Sequence, residues 1–427
     1  MNPRNHINSS FHAPSQIDTN EIQSLLDTDL YKLSMSAVIL KIYPFIHVLY
    51  RFKNRNPKMK FNQTAVSWLR QQINQLGDLQ LSVPEVEFLR EKCAYLGEDY
   101  ISFLATFKLR PEKQVTIDFE TNDLSLCVSG LWIDTILYEV PLLALISAAY
   151  FKFVDTDWSY DGQQELAREK ATKLINAGCV FSEFGTRRRR NFLSQEIVLR
   201  GLVQAPAGPG KFAGTSNVHF ARLHGLTPIG TVAHEFFMGT AAITGDYFTA
   251  NTTALKNWQK FFGKELSIAL TDTFSTDVFL KSLTKEEAES WSGFRQDSGN
   301  PMAFIAKVVN RYKELGVDFS NKVLVFSDSL NVDRCLELQI AAAQIKCSFG
   351  IGTFLTSMFS RWSNFNGQDD FKKPLTRETS APMNIVIKLH EANGVSCVKI
   401  SDQVEKNTGN NDEVKRVKVM LGIKGIE

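Results

Sequence analysis

Little in this sequence points toward a membrane, an oxidising compartment or a polyanion. Its six cysteines, Cys93, Cys127, Cys179, Cys335, Cys347 and Cys397, are scattered, with no C-x-x-C pair and no Cys/His cluster. That excludes a disulfide framework and a zinc site, and it fits a reduced intracellular setting. Long apolar runs are lacking too. The most apolar stretch, Ile136 to Phe151, is interrupted by Glu139, Pro141 and Ser147, so it reads as a buried helix, too short and too broken to span a bilayer. Residues 1–20 are polar, hold no hydrophobic signal-peptide core and read as a loose tail. An excess of one charge is also missing: 48 Lys and Arg against 46 Asp and Glu leave a formal +2. Any anion binding must therefore be local rather than a general nucleic-acid coat. No internal repeat is visible. Neither a Walker motif nor a dinucleotide fingerprint occurs, so a P-loop NTPase and a Rossmann dehydrogenase are unsupported.

What is present is apolar mass. The chain has 427 residues, 44% of them hydrophobic, with 31 Phe, 10 Tyr and 6 Trp, enough for a large core spread over about two or three domains. Helical patterning follows Asp29, and His47–Phe52 is a strand candidate. Residues 64–76 and 84–96 pattern as amphipathic helices, the second opened by Pro84 with Glu85 and Glu87 in its first turn. Val115–Phe119 and Leu124–Val128 alternate as strands do. From about residue 179 short apolar runs recur: Cys179–Phe184, Pro228–Val232, Leu266–Leu270, Trp291–Phe294, Lys322–Phe326 and Ile345–Phe349. Most end in polar residues or glycine, and helical stretches such as Met302–Leu315 and Val332–Ala343 lie between them. This is the rhythm of an α/β protein whose site lies at the C-terminal ends of its strands. A spacer over 361–380 ends the block. Asn384–Leu389 and Ser396–Ile400 then flank Asn393-Gly394, a hairpin expected to complete the N-terminal sheet.

The strand tips carry the chemistry. Four arginines in a row, Arg187–Arg190, are by default a solvated helix face or a localisation signal; their position after a strand and a glycine instead puts Arg187 at a tip, suited to bidentate phosphate binding. Gly214-Thr215-Ser216 follows. Most lone histidines are structural, but His234 ends an apolar run beside small residues, where an imidazole can be a general base or a nucleophile toward a phosphoryl group. Asp272 ends another run and could orient such a histidine, or cap a helix. A turn accounts for much of Asp297–Pro301, yet not for Arg295 and Asp297 two apart at a strand end: a cation for phosphate or carboxylate beside an acid for ribose hydroxyls or Mg²⁺. Asp328 repeats the arrangement, and Gly350, Gly352 and Thr353 fit a phosphate cradle. The residues alone lead to an enzyme of phosphorylated sugars or nucleotides on an α/β scaffold.

At these residues the sequence resembles the nicotinate phosphoribosyltransferase family, in particular its fungal members. The matching segments are L-L-D-T-D-L-Y-K-L-S-M (25–35), E-F-G-T-R-R-R-R (183–190), G-T-S-N (214–217), P-I-G-T-V-A-H-E (228–235), L-T-D-T-F (270–274), R-Q-D-S-G-N-P (295–301), S-D-S-L-N (327–331) and F-G-I-G-T (349–353). The resemblance runs from about residue 22 to the C-terminus. It implies attack of the nicotinate ring nitrogen on C1 of phosphoribosyl pyrophosphate (PRPP), giving nicotinate mononucleotide and pyrophosphate in NAD salvage, with ATP as cosubstrate and Mg²⁺ as cofactor.

It further implies that His234 becomes a phosphohistidine oriented by Asp272. Arg187 and Arg295 would meet phosphate and the pyridine carboxylate beside Thr215 and Ser216. Phe184 would stack on the pyridine ring, with Tyr31 from the other subunit of a homodimer on the opposite face. Asp297 and Asp328 would serve ribose or metal, and Gly350, Gly352 and Thr353 the 5-phosphate. Nicotinamide-using relatives carry an acid where this chain has Ser216, whose hydroxyl could donate to a carboxylate. The implied fold is an irregular α/β barrel over 146–380, with an α+β domain built from 21–145 and 381–427 behind a tail at 1–20. A cytoplasmic location is expected, with the nucleus left open by the arginine run. The alternatives are a nicotinamide- or quinolinate-using relative and, in a different class, a nucleic-acid-binding protein using Arg187–Arg190. A barrel aldolase would want a Schiff-base lysine at a strand tip, and none is well placed. Neither nucleic acid nor membrane is an expected partner.

Overall fold

Period-two alternation in His47–Asn54 (β1), Val115–Glu120 (β2) and Asp123–Leu131 (β3) builds antiparallel strands with one half-buried face. They belong to a computed structural model that describes residues 20–360 and 379–423. The tail expected over 1–20 and the spacer over 361–380 lie outside the described residues, except for Asn20, Thr379 and Ser380. Ile385–Ala392 (β12) pairs antiparallel with β1, and Val395–Ser396 (β13) closes the hairpin, giving a sheet in the order β13-β12-β1-β3-β2. Asn393 and Gly394 both have positive φ, 48° and 77°, as a two-residue hairpin turn requires.

The second arm of this hairpin is shorter than its sequence predicts. Beyond Ser396 the chain leaves the sheet: Lys399 pairs with Thr408, and Ile400 bridges Phe274, shortly after the Ile268–Leu270 strand. Alternation marks a strand-like backbone but not its partner, and here the partner changes midway.

A second, parallel sheet holds Val180–Glu183 (β4), Lys211–Thr215 (β5), Ile268–Leu270 (β6), Gly293–Gln296 (β7), Val323–Phe326 (β8) and Lys346–Ile351 (β9). Its order is β5-β4-β9-β8-β7-β6. A two-residue pair, Phe359–Ser360 (β10) with Thr379–Ser380 (β11), stands apart. The run Pro228–Val232, expected to be a strand, forms none. It lies between the two edges of the sheet, bridging Thr215 through Pro228 and accepting no ladder of its own, while Thr231 Oγ1 donates to the Ile268 carbonyl at 2.9 Å. At Gly230 a side chain would meet Leu30 Cβ and the Tyr31 backbone nitrogen at 3.0 Å. The sheet is thus spanned, rather than zipped, where a regular barrel would close.

Helices after the strands start on polar caps. Asn300 accepts from Met302 N and Ala303 N ahead of Pro301–Leu315, and Asn331 caps Val332–Ala341 in the same way. The segment Trp132–Phe153 is long and apolar enough to cross a bilayer by length and composition, yet it lies mostly buried inside the chain. Its Trp132, together with Trp258 and Trp291, is among the largest fully buried side chains.

Candidate active site

The parallel strands end toward the face of the antiparallel sheet, and between them lies a cavity of about 440 Å³. Its lining draws Phe184, Arg187, Arg295, Asp297, Asp328, Gly350, Gly352 and Thr353 from the tips, His234 from a helix start, and Ile385–Leu389 from β12. Parallel register explains part of this. Ser182 stands opposite Gly350 and Glu183 opposite Ile351, so the next residue, Phe184, bonds its N–H to the Ile351 carbonyl at 2.8 Å. Only glycine fits below it, since a Cβ at 350 would stand 2.3 Å from the Phe184 ring.

Tyr31 lines the cavity of its own chain. Its helix, Leu30–Ile42, is docked there by Leu30 N donating to Ser216 O at 2.8 Å and by a bridge between Asp29 and Asn217. The Arg187 guanidinium lies 5.8 Å from the Tyr31 ring centre, 3.6 Å from Glu139 and 3.7 Å from Asp29. Tyr31 therefore needs no second subunit to reach a site of this composition, which departs from the exchange expected from the resemblance.

Thr215 and Ser216 are not among the cavity-lining residues. Thr215 Oγ1 donates to buried Glu183 at 2.6 Å, and Ser216 Oγ donates to Asp29 at 2.7 Å. The serine's proton is directed at Asp29, away from the cavity. Burial pushes the Asp29 carboxyl up, against the pull of Arg187 and Ser216.

His234 opens the helix His234–Thr244, behind Ala233. Its Nδ1 lies 3.0 Å from Thr273 Oγ1, and its Nε2 lies 3.1 Å from Asp297 Oδ2 and 2.9 Å from Lys399 Nζ. Asp272, expected to orient the ring, stands 3.9 Å from Nε2 and instead accepts from Ser298 Oγ. Nor does it cap a helix: Ser275 caps Thr276–Ser282. Thr273 and Lys399 hold the ring through its two nitrogens, with Asp297 and Asp272 adding negative charge beside Nε2. Burial and Lys399 push the His234 imidazole below its usual range despite both acids, and a helix N-terminus disfavours a cation as well. Burial alone would raise the Asp297 carboxyl, but Arg295, His234 and Lys399 hold it well below the carboxylate range.

The arginine run divides. Arg187 and Arg188 line the cavity, whereas Arg189 and Arg190 are fully buried. Arg189 is bidentate to Asp27, at 2.8 and 2.7 Å. Arg190 donates to the Ser380 and Ser357 carbonyls and lies 3.8 Å over the Phe151 ring. This is structural use, and it takes two of the four arginines out of reach of a nucleic acid.

Several site residues carried no local motif. Lys399 and Lys406 arrive on the segment that leaves the hairpin, and Arg55 and Lys388 come from the antiparallel sheet. Lys406 lies 2.5 Å from Asp328 and donates to the Asp297 carbonyl at 3.2 Å. Glu139 did give a signal, as an acid interrupting an apolar run. For Mg²⁺, no group of three or more His, Cys, Asp or Glu among the described residues forms a cage. The donor set of Asp297 and Asp328 fits an ion that keeps one or two carboxylates and is carried mainly by substrate phosphates.

Comparison with known proteins agrees with this geometry. Residues 179–424 match the model of the nicotinate phosphoribosyltransferase (NAPRTase) family, and residues 26–147 match that of its N-terminal domain. A Schizosaccharomyces pombe protein named "Probable nicotinate phosphoribosyltransferase" is 52% identical over 94% of this chain and 98% of its own length. The nicotinate phosphoribosyltransferase of Saccharomyces cerevisiae is 43% identical over 94% of this chain and 95% of its own. A crystal structure from Saccharomyces cerevisiae matches with a TM-score of 0.89 at 42% identity, covering 95% of this chain and 99% of the other. That of the Porphyromonas gingivalis nicotinate phosphoribosyltransferase gives 0.85 at 36% identity, covering 94% and 100%. The chain belongs to the nicotinate phosphoribosyltransferase family.

Proposed function

We propose that this enzyme joins nicotinate to PRPP, forming nicotinate mononucleotide and pyrophosphate in NAD salvage, and couples the transfer to ATP hydrolysis through phosphorylation of His234. The observation that carries the reading is the convergence, in one cavity, of an aromatic and arginine base slot, a buried neutral imidazole and a glycine cradle. Tyr31 and Phe184 bracket the pyridine and Arg187 meets its carboxylate. Gly350, Gly352 and Thr353 take the 5-phosphate, with Asp328 on the ribose. The pyridine nitrogen forms a bond to C1 as the C1–oxygen bond to pyrophosphate breaks. Positive charge that builds on the ribose is matched by ionised Asp297, and the departing oxygens by Arg295 and Lys399. Mg²⁺, when bound, would neutralise the leaving pyrophosphate.

In the coupling step the Nε2 lone pair takes the γ-phosphoryl group of ATP and releases ADP; water later returns the group as inorganic phosphate. Nε2 is the nitrogen on the cavity side, since Asp297 and Lys399 line the cavity and Thr273 does not. Base preference is carried by Arg187, with Ser216 acting at one remove through Asp29. A homodimer would join two chains that each hold their own Tyr31, and sedimentation of the active enzyme tests that assembly. The location proposed is cytoplasmic. The test of the reaction is product analysis with PRPP and each of nicotinate, nicotinamide and quinolinate. Nicotinate mononucleotide with equimolar pyrophosphate is expected; preferential use of nicotinamide, or release of CO₂ from quinolinate, would favour the corresponding relative.

A further inference from the structure

Lys32 is fully buried, and its ammonium is shared by two carboxylates: it lies 2.5 Å from Glu139 Oε2 and in contact with Glu235 Oε2. Each acid has further partners. Glu235 accepts from Tyr50 OH at 2.5 Å and from Trp132 Nε1 at 2.8 Å. Glu139 accepts from Tyr31 OH at 3.3 Å and stands 3.6 Å from the Arg187 guanidinium. A carboxylate therefore lines the base slot, against the very cation that is to meet an anionic base.

The charges around the slot make this a problem of selectivity. Arg187 and Lys32 are its cations, and Asp29, Glu139 and Glu235 its acids. A neutral base adds nothing to that set, whereas a pyridine carboxylate adds one more negative charge. With Glu139 unneutralised, Arg187 would already be taken, and the incoming anion would meet a like charge at short range.

We propose that Lys32 is the positioning residue that lets this slot accept an anionic base, by neutralising Glu139 from beneath and leaving Arg187 free for the substrate carboxylate. Lys32 does not touch the base; it acts through Glu139. Burial would strip its proton, but Glu139 and Glu235 hold the ammonium charged. Burial would likewise protonate Glu139, but Lys32 and Arg187 keep it ionised. Both halves of the device are thus charged at neutral pH. The inference rests on the reading of the Tyr31, Phe184 and Arg187 slot as the base site.

The experiment compares kcat/KM for nicotinate and for its neutral isostere nicotinamide in the full chain, as wild type, Lys32→Met, Glu139→Gln and the double variant. Lys32→Met should lower the preference for nicotinate by about tenfold or more, chiefly through KM for nicotinate. Glu139→Gln, which removes the opposing acid, should raise that preference, and the double variant should return it toward the wild-type value. A purely structural lysine would weaken both bases alike, so an unchanged ratio in Lys32→Met overturns the inference. If Lys32→Met does not fold, Glu139→Gln decides: a ratio that stays level or falls overturns it. A wild type without any preference for nicotinate would sink the base assignment and this inference together. A preference that neither variant moves sinks the inference alone.

Discussion

Lys399 Nζ lies 2.9 Å from His234 Nε2, joining positions 165 residues apart in the chain. Asp297 Oδ2 approaches the same nitrogen at 3.1 Å, and one ring nitrogen makes only one in-plane hydrogen bond. The lysine is the donor to Nε2, and Nδ1 carries the ring proton toward Thr273. The imidazole is then neutral, and its Nε2 lone pair, on the cavity side, is held by Lys399, which must swing aside for a phosphoryl group to reach it.

Replacing Lys399 by Met removes one of the two causes that hold the His234 imidazole below its usual range. Asp272 and Asp297 would then favour the imidazolium, which has no lone pair to accept a phosphoryl group. His234 phosphorylation by ATP should fall in this variant and should fall most at acid pH, so that its acid limb moves upward. Rates of phosphohistidine formation across pH check this; an unmoved limb counts against it.

Lys388 lines the cavity and is pushed down to about 7 by burial and by Arg55, Lys399 and Lys53. A lysine is charged below its pKa, so the cavity wall loses one positive charge as pH rises through that value. KM for PRPP should therefore increase from about pH 6 to pH 8, and the increase should be smaller in Lys388→Met. Parallel pH–KM curves for the two proteins would contradict the role of this wall.

Gly350 has no room for a side chain, with the Phe184 ring 2.3 Å from where a Cβ would be. Gly350→Ala should push the ring into the base slot. The expected result is a higher KM for nicotinate together with a stability loss of about 1–3 kcal/mol, read by denaturant titration. A substitution without effect on nicotinate would separate Phe184 from the base.

Arg189 and Asp27 form a bidentate pair that is essentially closed to solvent. Arg189→Met leaves a buried carboxylate without its cation, and should cost about 3–5 kcal/mol. The same burial predicts that the folded protein passes through heparin without salt-dependent retention. Strong retention that falls steeply with salt would return the arginine run to a nucleic-acid role.

How much of this was legible beforehand follows from what sequence patterns encode. Arg187, Arg295, Asp297, Asp328, Gly350, Gly352 and Thr353 are legible because each sits at or just past an apolar run, and parallel strands gather their C-terminal ends on one side; His234 reaches the same place from a helix start, and Phe184 is legible only through the family resemblance. The hairpin at Asn393-Gly394 was found because positive φ has a residue signature. Pro228–Val232 reads as a strand because apolar character marks burial, but burial alone does not make a ladder: the run bridges the sheet only at Pro228. Lys399 and Lys406 were missed because a lysine leaving a hairpin has no local sign of its destination; only the bridge from Ile400 to Phe274 delivers it. Lys32 lies in an apolar helix, where the pattern shows that a buried charge needs a partner but not which acids supply it.

The central claim, that His234 couples ATP to nucleotide formation, is tested most directly by incubating the protein and its His234→Ala variant with γ-labelled ATP, then adding nicotinate and PRPP. The account predicts acid-labile, base-stable label on the wild type, discharged by the two substrates, and no such label on the variant. Label of that kind persisting on His234→Ala would contradict it.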